Sequence, residues 1–269
     1  GVMIIILYNL IYIEKARHME NIDVRIERNE EKKALSPARK PTLRESIVVM
    51  SKSPQIKSMA AMVLSYNMCV ELTEVLWKGI LRITYPNKAD YMAFMASFSQ
   101  RVGIIALFMQ LSASTIIGKL GWTKASLVTP LAMVGLAFPF FISVTLHSRN
   151  PKIMPLTTAL AIGTYQNIVN KVTKYSLFDP LKEMAYIPMG PEAKVQGKAA
   201  IDVLGARLGR SLAAGSQQIL VMGIGNNILN CAPHLAAVYG GTISMWISAV
   251  KVLGKMFNAN VTKDSDKPK

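Results

Sequence analysis

The sequence predicts an all-α protein, a polytopic bundle of membrane-spanning helices, on three observations. First, 51% of the 269 residues are hydrophobic and only 17% are charged, and this apolar fraction excludes a disordered chain. Second, the charged residues form blocks between long apolar runs, which is typical of polytopic membrane proteins. Third, several apolar runs reach the ~20 residues that a helix needs to cross a bilayer.

Six apolar segments account for the predicted spans. They are residues 56–83, 91–117, 125–146, 153–172, 199–224 and 232–253. Together they predict a six-helix transmembrane domain over residues 56–255. Six spans that follow a central loop indicate one half of a twelve-helix carrier.

The segments outside these spans differ in composition. Residues 1–13 are apolar but too short to cross a bilayer. We interpret them as the end of a truncated transmembrane helix, so the sequence is expected to be a fragment of a longer protein. Residues 14–55 form a charged central linker, in which residues 14–52 hold ten lysines and arginines and seven acidic residues. Residues 256–269 form a polar tail that is expected to be disordered.

The basic residues are distributed unevenly between the two predicted membrane faces. The face of the central linker carries 21 lysines and arginines, the opposite face carries five, and five more lie within or at the ends of spans. Such a bias supports six spans with both ends on one side. It also accounts for most of the net charge of +15 without nucleic acid as a partner, because the cations bracket apolar spans and form no single patch with aromatic residues.

The first predicted span contains a polar stripe of Asn67, Glu71, Glu74 and Lys78. Their spacing places all four on one helix face. Because a charge in the middle of a membrane is costly, this face must contact other helices or a water-filled cavity. An interhelical hydrogen bond and a functional role both remain open for Asn67. A functional role is favoured for Glu74, and Lys78 lies near enough to the helix end to reach the membrane surface.

Basic residues also interrupt the second and fifth spans. Arg101 lies in the second span, and either pairs with an acidic residue of a neighbouring helix or binds an anion. In the fifth span Arg207 and Arg210 share a second polar stripe, and pairing with acidic residues and binding of an anionic substrate are compatible roles for them. Gly205 and Gly209 form a G-x-x-x-G pattern, which predicts close helix packing.

The connection between the fourth and fifth spans contains Asp179 followed by Pro180. This pair predicts a helix start, with an N-cap and then proline at the first helical position. The following residues predict a short amphipathic interfacial helix with Lys182 and Glu183 directed away from its apolar face. That apolar face is formed by Leu181, Met184, Ala185 and Ile187.

The known signatures of nucleotide hydrolysis, dinucleotide binding and zinc catalysis are missing from the sequence. It contains no G-x-x-x-x-G-K-[ST] loop, no H-E-x-x-H motif and no cluster of cysteine and histidine. We therefore expect no enzyme activity, no cofactor and no metal ion.

Two long motifs and two weaker ones carry a resemblance to a known family. The long ones are KYSLFDPLKEMAYIPM at residues 174–189 and GKAAIDVLGARLGRS at 197–211. The weaker ones are VELTEVLWK at 70–78 and FMASFSQRVG at 94–103. With the spacing of the spans, residues 45–255 resemble the nucleotide transporters of plastids and obligate intracellular bacteria, the ATP/ADP translocases.

The resemblance implies a major-facilitator-like carrier of twelve helices, of which this chain is the C-terminal half, exchanging ATP for ADP with phosphate by alternating access. Proton-coupled uptake of a broader set of nucleotides is the alternative within the family, and a membrane helical bundle without transport is the alternative outside it. The implied partners are ATP, ADP, phosphate, the lipid bilayer and the N-terminal half of the same chain. The resemblance implies a multi-pass integral membrane protein, and the plastid inner envelope is favoured over a bacterial inner membrane as its location.

The resemblance also assigns functional residues. Glu74 matches the glutamate of the family motif E-V-x-W-K, whereas Arg210 replaces the lysine of L-G-K-S-G-G. We expect Arg210, helped by Arg207 or Lys174, to attract phosphates while Glu74 competes for the same cations. Glu71 is the expected proton acceptor if transport is proton-coupled. The expected substrate-binding residues are Asn67, Glu71, Glu74, Arg101, Lys174, Asp179, Lys182, Arg207 and Arg210.

Overall fold

The computed structural model describes residues 54–187, 197–198, 201, 205–224 and 228–265, with side chains to residue 257. All regular secondary structure in these ranges is helical. The elements are α1 (Pro54–Thr84), α2 (Lys88–Arg149), α3 (Leu156–Thr173), a π-helical turn (Lys174–Phe178), α4 (Asp179–Ala185), α5 (Ala206–Ile224), a 3-10 turn (Ile228–Cys231) and α6 (Ala232–Ser265).

A kink divides α2 into two arms. Gly121 has φ 72° and ψ 165°, a conformation that glycine adopts without steric cost. The arms, residues 88–120 and 122–149, coincide with the second and third predicted spans. Among the described residues, three helical segments are long and apolar enough to cross a membrane, namely Pro54–Thr84, Lys88–Arg149 and Ile228–Phe257. The predicted all-α membrane helical bundle is therefore confirmed.

Two predicted boundaries differ from the observed ones. The fourth helix begins at Leu156 instead of residue 153, because Pro155 has extended backbone and precedes the helix. The last helix continues to Ser265, so the predicted disorder of the tail is wrong as far as that residue. No proline or glycine follows Gly254 before residue 265, and extending an existing helix is much easier than nucleating one.

The predicted helix start at Asp179 is also wrong. Asp179 has φ −64° and ψ −47°, which are helical values, and its backbone N–H donates to the carbonyl of Lys174 through the π-helical turn. The chain is thus helical without a break from Leu156 to Ala185. Leu181 and Ala185 are buried as predicted, but Ile187 is 68% exposed and lies beyond the end of α4.

Packing against α1 holds the bundle together. Tyr66 of α1 stacks on Phe178 at a ring distance of 4.3 Å and meets the edge of Trp246 at 5.6 Å. On another side of α1, the predicted close helix approach is confirmed. A Cβ atom added to Gly209 of α5 would lie 2.6 Å from the carbonyl oxygen of Leu64, so only glycine permits this contact.

Several predicted features lie outside the described residues. These are the truncated helix at 1–13, nearly all of the linker at 14–55 and the start of the fifth span.

Candidate functional site

The polar stripe of α1 forms one continuous face, as predicted. Asn67, Glu71, Glu74 and Lys78 are all half-buried, while the opposite side of the helix carries fully buried residues such as Leu72 and Leu76. The stripe therefore lies at the border of the helical bundle and not in its apolar core.

Glu74 is the centre of a three-residue charge cluster. Its Oε1 atom lies 2.8 Å from Nζ of Lys78, one turn further along α1, and 3.8 Å from Nζ of Lys171 on α3. The Glu74 side chain is 19% exposed, against 40% for Lys78 and 33% for Lys171. One carboxylate thus faces two ammonium groups, which leaves the cluster with a net positive charge.

The contact between α1 and α3 that positions this cluster is tightly packed. Trp77 of α1 donates a hydrogen bond of 3.1 Å from Nε1 to Oγ1 of Thr164 on α3. A Cβ added to Gly163 would lie 2.5 Å from the ring of Phe140 and 2.9 Å from that of Trp77. Because α3 has no side chain at this position, it can approach close enough for Lys171 to reach Glu74.

The other two members of the α1 stripe have different surroundings. Asn67 donates a 2.8 Å hydrogen bond to the carbonyl of Val63 in its own helix, so the interhelical bond considered for it is not formed. Gln217 of α5 donates to the backbone carbonyl of Glu71 at 3.2 Å. The Glu71 carboxylate makes no ion pair with any described residue.

The two arginines of α5 point away from the bundle. Arg207 and Arg210 are exposed, whereas Gly209 between them is buried against α1. Arg210 donates from Nε to the carbonyl of Ala206 in its own helix at 3.2 Å. Within the described ranges neither arginine pairs with Glu71 or Glu74, so Glu74 is paired with lysines and not with these arginines.

A second charged group follows α3. Nζ of Lys174 lies 3.6 Å from Oδ2 of Asp179. In an α-helix residues five apart point about 140° away from each other, but the π-helical turn brings these two onto one side. Lys174 is thus paired with Asp179, and the structure does not bring it to Arg210.

Lys182 and Glu183, which the sequence directs to one polar side of α4, differ in exposure. The Lys182 side chain is only 14% exposed, whereas that of Glu183 is 47% exposed. Glu183 forms two ion pairs. Its Oε2 atom lies 2.6 Å from Nζ of Lys198, and its Oε1 atom lies 3.7 Å from Nζ of Lys182.

Arg101 lies in a groove between the first arm of α2 and α3, with a cavity volume of about 730 Å³. The side chain is exposed and is the single charged group among the residues that line the groove. It makes no ion pair with a described residue, so pairing with an acidic neighbour is not observed within this part of the chain.

Sequence reasoning missed Lys171 and the groove. Lys171 falls at the edge of a lysine-containing connection and was counted with the positively charged membrane face. The spacing of three residues between Lys171 and Lys174 could have indicated that the two lysines lie on one helix face, since residues three apart in a helix are neighbours. The described residues contain no group of three His, Cys, Asp or Glu side chains that could hold a metal ion.

The chain is similar to a family of nucleotide transporters. The profile of a family described as TLC ATP/ADP transporter matches residues 1–257. ADP,ATP carrier protein 1 of Chlamydia pneumoniae is 39% identical over 85% of this chain and 45% of its own length. ADP,ATP carrier protein 2, chloroplastic, of Arabidopsis thaliana is 36% identical over 82% of this chain and 36% of its own length.

A bacterial relative from another group gives a similar result. ADP,ATP carrier protein 1 of Rickettsia prowazekii is 36% identical over 82% of this chain and 46% of its own length. The chain thus spans less than half the length of these relatives, and no solved structure matches it. Since the family profile covers nearly all of the sequence, this multi-pass membrane chain belongs to the TLC ATP/ADP transporter family.

Proposed function

We propose that the protein exchanges ATP for ADP with phosphate across a membrane by alternating access, without chemical conversion of the nucleotide. Relatives that carry the name ADP,ATP carrier support the substrates. The observation that carries the mechanism is Glu74 between Lys78 and Lys171, because the carboxylate joins cations from two helices.

In this mechanism Glu74 occupies the lysines while the site is empty. A nucleotide phosphate, which carries more negative charge than one carboxylate and offers more acceptor oxygens, displaces Glu74 from Lys78 and Lys171. When the nucleotide leaves, Glu74 pairs with the lysines again. This competition keeps phosphate binding reversible, and a carrier must release its substrate on the other side of the membrane.

The exposed cations would contribute from outside this cluster. Arg207, Arg210 and Arg101 raise the positive potential along the surface that an anion approaches. Lys174, Asp179 and Lys182 form a further group of proposed substrate-binding residues at the far end of α3 and on α4.

We further propose that this chain works with an N-terminal half, as the C-terminal six helices of a major-facilitator-like carrier. This agrees with the share of about half that the chain covers in its bacterial relatives. Domain limits of 14–55 for a central linker and 56–255 for the helical domain are part of the same proposal.

Proton-coupled nucleotide uptake is a second candidate. It is favoured by the Glu71 carboxylate, which is half-buried and makes no ion pair with a described residue. A carboxylate in such a position can take up and release a proton during transport.

The test uses the intact protein, with the N-terminal half that the proposal requires, reconstituted into liposomes. We expect uptake of labelled ATP to require internal ADP. Uptake that ignores internal ADP but follows an imposed pH gradient would replace exchange with proton coupling. Absence of uptake under both conditions, from a protein with a sharp thermal unfolding transition, would favour a helical bundle without transport.

The proposal also concerns which membrane contains the protein. We favour the plastid inner envelope over a bacterial inner membrane, although the chloroplast relative and the bacterial ones have similar identities of 36% and 36–39%. Import of the intact protein into isolated chloroplasts, followed by separation of the envelope membranes, tests this choice.

A further inference from the structure

The groove between the first arm of α2 and α3 extends along both helices. Phe94, Arg101, Ile105 and Met109 line it from α2, at spacings that place them on one helix face. Residues from Thr157 to Thr173 line it from α3. The lining therefore extends over four turns of each helix, and the cavity of about 730 Å³ falls within the ~300–1,000 Å³ of small-molecule sites.

Aliphatic side chains make up about half of the lining, and the rest combines three kinds of group. Tyr85, Phe94 and Tyr165 contribute aromatic rings, and Tyr165 is 68% exposed. Thr157 of α3 contributes a hydroxyl group, and Arg101 contributes a cation. A lipid chain or an apolar helix would not use the hydroxyl and guanidinium groups, whereas a nucleoside phosphate uses all three.

The groove is adjacent to the charge cluster at Glu74. Thr164, which lines the groove, accepts the hydrogen bond from Trp77, and Trp77 packs on Phe94, also in the lining, at a ring distance of 6.3 Å. Trp77 lies one helical turn beyond Glu74. The groove and the cluster thus lie within about one helical turn of each other along α1, so phosphates bound at the lysines would leave the rest of one ligand beside the groove.

We propose that this groove is the nucleoside subsite, which holds the base and ribose of the transported nucleotide between aromatic side chains, with Arg101 near the phosphate end. The proposal rests on nucleotide transport as the proposed function. It assigns substrate contacts to Tyr85 and Tyr165, which lie outside the four motifs, and to Phe94, the first residue of the FMASFSQRVG motif.

The experiment compares neighbouring positions of α3 in the intact protein in liposomes. Ala161→Cys places a thiol in the groove, and Thr157→Cys is a second groove variant in case the first fails to fold. Thr158→Cys is the matched control, because Thr158 is exposed at the same level of the helix but does not line the groove. The native Cys69 and Cys231 are buried, and labelling in excess of that of the intact protein without an introduced cysteine reports on the introduced thiol.

We expect ADP at ten times its Kd to slow labelling of the groove thiol about tenfold, by simple occupancy. Adenosine should also slow labelling of the groove thiol, whereas inorganic pyrophosphate should not. The Thr158→Cys thiol should be labelled at the same rate with and without each of these compounds. Arg101→Gln should raise the KM for ADP about 10- to 100-fold, the range for a lost hydrogen bond to a charged group.

The two proposals fail in different ways. If ATP exchange proceeds but ADP leaves the groove thiol equally reactive, the nucleoside subsite is wrong while the transport function stands. A groove thiol that never reacts, beside a reactive Thr158→Cys, means that the other half of the carrier or lipid fills the groove, and also overturns the subsite. Protection by ADP in a protein that takes up no ATP, either in exchange for internal ADP or along a pH gradient, supports a nucleoside site in the groove and overturns the transport function.

Discussion

Glu74 and Arg210 are charged residues on two neighbouring helices, but their surroundings differ. Glu74 is 19% exposed and lies between lysines of α1 and α3. Arg210 is exposed on α5 and bonds only to a carbonyl of its own helix among the described residues. The comparison distinguishes two kinds of charged residue. Glu74 links two helices of this chain, whereas Arg210 is directed out of the helical bundle.

Replacing the paired carboxylate should have the largest effect. In Glu74→Gln the ammonium groups of Lys78 and Lys171 lose their shared carboxylate partner. The nucleotide phosphate then dissociates from them more slowly, because no carboxylate competes for the lysines. Because an unpaired group of this kind costs about 1–3 kcal/mol, exchange should fall about 10- to 100-fold. The measurement is the rate of ATP uptake into ADP-loaded liposomes.

Two other carboxylates sharpen this result. Asp90→Asn, in the exposed first turn of α2, is the matched control and should leave the rate within twofold. Glu71→Gln should have a small effect under exchange, but should abolish dependence on a pH gradient if transport is proton-coupled. Equal rates for Glu74→Gln and wild type would remove Glu74 from the mechanism.

Substitution at the close contact between α5 and α1 should have the next largest effect, a loss of thermal stability. In Gly209→Ala the new Cβ would lie 2.6 Å from the carbonyl oxygen of Leu64 and 3.0 Å from Cβ of Asn67. The helices must separate, and overpacking of this kind costs about 1–3 kcal/mol. Thermal unfolding in detergent should report a lower Tm.

A glycine on the same helix provides the control for this change. Nothing lies within 4 Å of a Cβ added to Gly215, so Gly215→Ala should keep or raise the Tm, since alanine favours a helix by about 0.5–1 kcal/mol. If both variants had the same Tm, the close approach at Gly209 would not contribute to stability.

The polar stripe and the glycine contact were predictable because each depends on one helix. Spacings of four, three and four residues place Asn67, Glu71, Glu74 and Lys78 on one face whatever lies opposite, and a G-x-x-x-G pattern leaves a flat surface on any helix. The partner of Glu74 on a second helix was not predictable in this way. Lys171 reaches it only because α3 packs at Trp77, in a register that depends on Gly163 and Phe140 far along the chain.

The continuous helix through Asp179 and Pro180 shows the same limit. Locally this pair favours a helix start, and nothing nearby contradicts that interpretation. In the structure Phe178 is held by Tyr66 and Trp246, and a π-helical turn continues α3 into α4. Tertiary packing therefore overrides the local preference. The groove at Arg101 was not predictable either, since it exists only between two helices.

The outward arginine should have a smaller effect than the paired carboxylate, and a different dependence on salt. Arg210→Gln removes a charge that acts on the nucleotide through water, where a unit charge pair at contact distance is worth about 1 kcal/mol. The KM for ATP should rise about three- to tenfold at low salt, and this difference should shrink as salt screens the charge. Initial uptake rates at two ionic strengths measure it.

Two variants test the interpretation of that result. Arg210→Lys keeps the charge, so its KM should remain close to wild type if charge alone matters, and should rise if two-point binding by the guanidinium matters. Lys171→Gln should lower the maximal rate at both salt concentrations, because it frees Glu74 from α3. A salt-independent KM in Arg210→Gln would place Arg210 in direct contact with phosphate.

The pair formed by Lys174 and Asp179 should contribute least to stability. Both side chains are more than a third exposed, at 35% and 37%, and their charged atoms lie 3.6 Å apart. Exposed pairs of this kind contribute about 0.2–1 kcal/mol, so Asp179→Asn should lower the Tm by at most about 4 °C. A double-mutant cycle with Lys174→Gln separates the pair from each residue's other contacts. A coupling energy well above this range would mean that the pair itself holds the π-helical turn, whereas a small one assigns that role to the rings around Phe178.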